Sequence, residues 1–262
     1  GWVVGTVSAL LIAGGLGFTV VANLFGFVRG RWLRHDRLAA RISSQTRVVV
    51  VMTVALLLVG TGLLLWLEWD GALAGRPLPE KLGLAFFQSA TTRTAGFNSL
   101  DLGLLSSPSL FVMIVLMFIG GGSGSTAGGV KVTTVAVMWA NLKATGQGLR
   151  QARLVGREVS RQSQQRALLV LTGALTAAVA GVLILLATEG ADFQTVVFEV
   201  FSALGTVGLS LGLTPLLSTA GRLTIVVLMF VGRLGPLTFA YGLVPARRDR
   251  GVRLPPARLM VG

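Results

Sequence analysis

Five stretches of this 262-residue chain run for about twenty residues with almost no charge: 2–23, 48–69, 110–142 (with an interruption), 167–187 and 223–243. A helix rising about 1.5 Å per residue needs about 20 residues to cross a hydrocarbon core of about 30 Å. The chain is 53% hydrophobic and only 13% charged, with a mean hydropathy of +0.77. It therefore lacks the polar faces that would wrap such helices inside a soluble core, and the five windows are read as membrane spans.

The formal net charge of +13 would suit a nucleic-acid binder, but its placement gives it another meaning. Residues 29–47 hold six basic side chains and one acid, residues 131–166 hold seven and one, and residues 247–258 hold five and one. Seven of the ten acids (Glu68, Asp70, Glu80, Asp101, Glu189, Asp192, Glu199) fall in the remaining connections. Spans that alternate direction put the three basic segments on one side, which the positive-inside rule makes cytoplasmic. The basic excess is thus an orientation signal, and no nucleic-acid partner is expected. The absence of cysteine removes disulfides and thiolate metal sites, and His35 has no neighbours that would complete a metal shell. The chain opens at Gly1 inside an apolar run, with neither an initiator methionine nor a charged n-region. It is expected to lack an N-terminal part.

Self-comparison finds an ungapped repeat at an offset of 112. Thr94 falls on Thr206, Gly96 on Gly208, and the phrase LMFIG at 116–120 on LMFVG at 228–232. Each unit reads as span, acidic connection, short segment, glycine phrase, span. The short segments, 79–91 and 192–204, begin as helices do: Pro79 with Glu80 in a first turn, and Asp192 as an N-cap. About twelve residues make a helix of about 18 Å, too short to cross, so each segment is expected to enter, stop partway and return. Backbone that stops partway leaves unpaired peptide groups, tolerated only against protein or a watery cavity. The carboxyl ends of such half-helices favour a cation. The following loops, Thr94, Ala95, Gly96, Phe97 and Thr206, Val207, Gly208, Leu209, are assigned as the carbonyl-lined walls of an ion filter, with Asn98 and Ser210 supporting them by hydrogen bonds.

With these phrases in hand, the chain resembles the Trk/Ktr/HKT superfamily of potassium transporters and looks most like its KtrB-type branch. The resemblance rests on TTRTAGFNSLD, GGGSGSTAGGVKVTT, SALGTVGLSLG and MFVGRLGPLTFAYGL, and extends to LLIAGGLGFTVVANL near the start and LPPARLMVG at the end. It implies an all-α membrane protein of helix–pore loop–helix repeats, here two complete repeats plus the last helix of a preceding one. Residues 1–28 would be the inner helix of a second repeat, 29–47 a basic cytoplasmic linker, and 48–142 the third repeat with a broken inner helix. Residues 143–166 would be a second basic linker, 167–244 the fourth repeat and 245–262 a cytoplasmic tail. The implied function is potassium uptake across the cell membrane, with K+ (and Na+ if transport is sodium-coupled) as the transported ion and no cofactor. The implied partners are a second copy in a homodimer and a cytoplasmic ring of nucleotide-binding, RCK-type regulatory subunits.

Inside the third window lies Gly120, Gly121, Gly122, Ser123, Gly124, Ser125, Thr126, Ala127, Gly128, Gly129. Each glycine costs roughly 1 kcal/mol of helix stability relative to alanine, so the helix is expected to break there, near mid-membrane. Arg233 lies at matching depth in the next unit, where a charge costs at least about 2.5 to 3.5 kcal/mol and needs a polar neighbour. Loop and arginine together are assigned as a gate below the filter, the role the resemblance also implies. The run is not a phosphate loop, because Val130 intervenes before Lys131 and an apolar helix replaces the required strand. No nucleophile and base are paired, so an enzyme is not expected. Two alternatives stay open: a non-conducting membrane scaffold whose glycines only pack helices, and a sodium-permeable transporter of the same fold.

Overall fold

Two long helices frame the molecule because each carries a long uncharged apolar run after a polar first turn or two. Helix α3, Ser44–Leu67, has 24 residues and α7, Arg161–Thr188, has 28, each long and apolar enough to cross a membrane. A computed structural model describes residues 2–33, 42–149 and 151–235. Among these the other helices are α1 Trp2–Leu16, α2 Phe18–Leu33, α4 Leu78–Thr91, α5 Ser107–Phe118, α6 Val132–Gly146, α8 Phe193–Leu204 and α9 Thr219–Leu234. The fold is all-α, apart from a two-residue hairpin, Arg153–Leu154 paired with Arg157–Glu158, inside the second basic linker. His35, the remainder of the fourth repeat after Gly235 and the 245–262 tail lie outside the described residues.

The buried stripes of the long helices are small or slim: Thr46, Val49, Thr53, Leu57, Gly60 and Leu64 in α3, and Ala167, Ala174, Ala178, Gly181 and Leu185 in α7. Large apolar side chains such as Leu58, Trp66, Leu183 and Phe230 point outward. That inversion of the soluble pattern suits lipid outside and close helix contact inside. A Cβ on Gly181 would sit 2.7 Å from Leu228 Cδ1, which measures how tightly α7 meets α9.

The short helices α4 and α8 occupy the two expected half-helix segments. Pro stands in the first turn of α4 with Glu80 beside it, and Asp192 caps α8 by accepting from Thr195 N at 3.0 Å. The predicted interruption also occurs, since α5 stops at Phe118 and α6 starts at Val132. The first window differs from the expected single inner helix. It turns by 102° between α1 and α2 at Gly17, whose φ is +89°. Hydropathy averaged over the run hides this bend, which is imposed by what packs against it.

The repeat also fixes a feature at the acidic end that the sequence reading placed in loose connections. Glu68, the C-cap of α3, accepts from Ser106 N (2.9 Å) and Ser106 Oγ (2.7 Å), so the end of one helix holds the start of α5. Glu189, the C-cap of α7, accepts from Ser218 N (3.0 Å) and Ser218 Oγ (2.6 Å) at the start of α9. The partners are 38 residues apart in one unit and 29 in the other, which is why an ungapped comparison aligns the serines and misses the acids.

Burial pushes the Glu68 carboxyl up, but the donors from Ser109, Ser106 and Ala72 outweigh it and hold it below its ordinary value. The Ser218 hydroxyl and amide do the same for Glu189. A carboxylate with a lowered folded-state pKa contributes stability that is complete above the ordinary carboxylate range, about 4 to 4.5, and is lost as pH falls through the folded value. Thermal melts of the intact protein in detergent should therefore fall on acidification below about pH 4.5. Glu68→Ala should remove about 1 to 3 kcal/mol at pH 7, because it leaves the Ser106 donors unpaired. It should also flatten that acid limb.

Candidate functional site: two pore loops over a glycine-rich plug

The chain turns back after each half-helix through a loop built on one residue of that helix. In the third repeat Thr91 O accepts the amides of Thr94 (3.2 Å), Ala95 (3.2 Å) and Gly96 (3.4 Å), while Thr91 Oγ1 donates to Phe97 O at 2.8 Å. In the fourth, Val207 N donates to Ser202 O (2.9 Å) and Gly208 N to Ser202 Oγ (3.2 Å). Gly96 (φ +67°), Thr206 (φ +51°) and Gly208 (φ +95°) all take left-handed backbone. That is costly for a β-branched residue such as Thr206. The two loops are adjacent: a Cβ on Gly96 would land on Val207 O and lie 2.8 Å from Gly208 C.

What distinguishes these loops is their unspent acceptors. Among the described residues, the carbonyls of Thr94, Ala95, Gly96, Thr206, Val207, Gly208 and Leu209 accept no hydrogen bond, whereas Phe97 O is taken by Thr91. The equivalent hydroxyls of Thr94 and Thr206 are also buried without a partner. Val207 and Leu209 put their side chains into the apolar core, so only their backbone faces the opening. Of the two assigned supports, Ser210 donates to Glu199 Oε2 at 2.7 Å. Asn98 is exposed, with no side-chain hydrogen bond among the described residues. Glu199 lies inside α8 and is 5% exposed, and its second oxygen accepts from Thr214. It lines a cavity of about 370 Å³ with Thr206, Gly208, Ile225 and Met229. Its role was not legible because the partners lie 11 and 15 residues downstream.

The glycine-rich segment is tied more fully to its surroundings: six of its ten amides and six of its ten carbonyls have a partner among the described residues. Its base is pinched by a parallel bridge between Ile119 and Val130, with Gly120 N to Val130 O at 2.9 Å, Val130 N to Phe118 O at 3.1 Å and Val132 N to Gly121 O at 3.1 Å. Its middle docks on the bend of the first inner helix: Gly122 N to Gly15 O (2.8 Å), Thr126 N to Gly14 O (3.2 Å), and Phe18 N to Gly124 O (3.2 Å). Its far side meets the fourth-repeat loop through Gly128 N and Gly205 O at 3.1 Å. The bend exists for this contact, since it frees the carbonyls at the end of α1 for loop amides.

Three cations donate to the loop's carbonyls. Arg233 reaches Thr126 O, Lys131 reaches Ala127 O, and Arg93 Nη2 reaches Gly120 O at 3.2 Å. Sequence reasoning named Arg233 alone. No carboxylate pairs with any of them, the single salt bridge among the described residues being Arg76–Glu80 at the acidic end. No cluster of His, Asp or Glu among those residues would hold a metal ion.

The profile of the TrkH family, cation transport proteins, matches residues 2–244. The chain is 37% identical over 256 residues to the Ktr system potassium uptake protein B of Bacillus subtilis, covering 98% of this chain and 56% of that protein. It is 42% identical over 253 residues to the protein of the same name from Vibrio alginolyticus, covering 91% and 51%. It is 36% identical over 263 residues to the potassium/sodium uptake protein NtpJ of Enterococcus hirae, covering 98% and 56%. The fold matches the crystal structure of the potassium transporter TrkH from Vibrio parahaemolyticus with a TM-score of 0.69 and 22% identity, over 91% of this chain and 51% of that one. The chain thus spans about half the length of the relatives it matches.

The plug's dependence on the bend gives a direct test. A Cβ at residue 17 would stand 2.6 Å from Ser123 O, at a φ that L side chains resist. Gly17→Ala should accelerate amide exchange across residues 120–129 while leaving α3 and α7 protected, measured by hydrogen–deuterium exchange on the intact protein.

Proposed function

Since this chain belongs to the TrkH family of cation transport proteins, we propose that it forms half of a potassium-conducting pore in the cell membrane. Its two glycine loops would serve as filter walls and residues 120–129 as the gate. One observation carries the reading: seven backbone carbonyls on two touching loops accept no hydrogen bond among the described residues. Peptide oxygens left bare in a membrane interior are costly unless something replaces the missing donor, and a dehydrated monovalent cation does so. The carboxyl ends of α4 and α8, where the loops begin, add partial negative charge. The unpaired hydroxyls of Thr94 and Thr206 supply two further oxygens of the same kind.

Below the filter the sign reverses. Arg93, Lys131 and Arg233 hold three positive charges against the plug. A cation leaving the carbonyls meets this field in a low-dielectric surround, where it is weakly screened. Withdrawing the plug would remove both the obstruction and the carbonyls that position the cations. The basic segments would face the cytoplasm, where the second linker and the tail would dock a nucleotide-binding regulatory ring on a homodimer.

The scaffold alternative leaves the bare carbonyls unexplained, and flux separates the two. Potassium uptake should be measured with the full-length protein in cells that lack other uptake systems. Gly96→Ala should abolish uptake, because its Cβ would displace Val207 O. Gly208→Ala, where nothing lies within 4 Å, should retain part of it. Arg233→Ala should raise flux. Uptake indifferent to all three substitutions would return the chain to the scaffold reading.

A further inference from the structure

Arg93 follows the C-cap of α4 and lies in the interior, 4% exposed. Packing alone does not explain it. A buried guanidinium without a carboxylate is costly, and only Nη2 finds an acceptor, at Gly120 O, while Nε is buried with no partner. At the repeat offset of 112 its counterpart is Gly205, which has no side chain at all.

The two positions nonetheless do one job. Each lies just after a half-helix, and each is fastened to one end of the plug: Arg93 donates to Gly120 O where the plug begins, and Gly205 O accepts from Gly128 N where it ends. The chemistry is exchanged, a side-chain donor in one unit and a backbone acceptor in the other. The glycine is needed because a Cβ there would come within 2.6 Å of Met117 O. Thr94, next to Arg93, packs its methyl against Gly15, a Cβ on which would stand 2.8 Å away. Gly15 O in turn holds Gly122 N.

We propose that Arg93 is a positioning residue that ties the third-repeat pore loop to the stem of the glycine-rich plug, so that a shift of the loop is delivered to the plug. The proposal rests on the filter-and-gate reading above. Arg93 acts on the plug rather than on the ion, and its charge adds to the field of Lys131 and Arg233 below the carbonyls.

The test uses the full-length protein in lipid vesicles, with flux and hydrogen exchange read together. Arg93→Gln should raise K+ flux and speed exchange of the amides at 122 and 126 about tenfold. Arg93→Lys, which keeps the charge but has a different reach, should speed exchange as much while raising flux less. In the wild type, replacing choline by K+ should change exchange within 120–129, and Arg93→Gln should remove that response. Exchange at 120–129 that ignores both K+ in the wild type and Arg93→Lys would overturn the proposal, even if Arg93→Gln did not fold. Arg233→Ala distinguishes the two levels. If it raises flux while the Arg93 variants leave flux and exchange unchanged, the tether fails and the gate stands. If neither arginine affects flux, the gate reading itself fails.

Discussion

A peptide group inside a bilayer must find a hydrogen-bond partner, and the architecture here follows from where the chain meets that requirement and where it does not. Two kinds of irregular backbone lie side by side. The plug pairs its amides and carbonyls with its own base, with the bend at Gly17 and with Gly205. The pore loops pair their amides inward, to Thr91 and Ser202, and leave their carbonyls open. Two kinds of non-helical chain thereby differ in chemistry: residues 120–129 pair more than half of their peptide groups with protein partners, whereas the loops leave nearly all of their carbonyls open.

The charges are arranged on the same division. Glu68 and Glu189 hold helix ends together at one end of the bundle, and Glu199, inside α8, braces the fourth-repeat loop through Ser210 and Thr214. Cations reach the plug from three different segments. On the proposed reading, an ion drawn toward the open oxygens from the acidic side would meet positive charge beyond them. The repeat supplies both half-helices and both loops, whereas the glycine-rich segment is a departure from it: residues 120–129 separate α5 from α6, and Arg233 lies in α9.

Much of this was legible because the relevant signals are local. Window length marked the long helices α3 and α7, the offset of 112 marked the loops, and six glycines in ten residues marked the break. What escaped depends on contacts between distant segments. The run through Gly14, Gly15 and Gly17 reads as one apolar window, and although its three glycines weaken the helix, the 102° bend is held by contacts to a loop a hundred residues away. Arg93 was overlooked because the repeat pairs it with a glycine, and comparison by likeness discards the position where two units do the same job differently. Glu199 looked like one more acid in a connection because the hydroxyls it receives come from beyond the filter phrase.

The central claim is that the open carbonyls of the two loops receive a dehydrated monovalent cation, and the most direct measurement is to locate one. Crystals of the intact protein grown in rubidium should give an anomalous peak between the carbonyls of Thr94 to Gly96 and those of Thr206 to Gly208. Rubidium absent from that position, with those carbonyls bonded instead to protein donors, would contradict it.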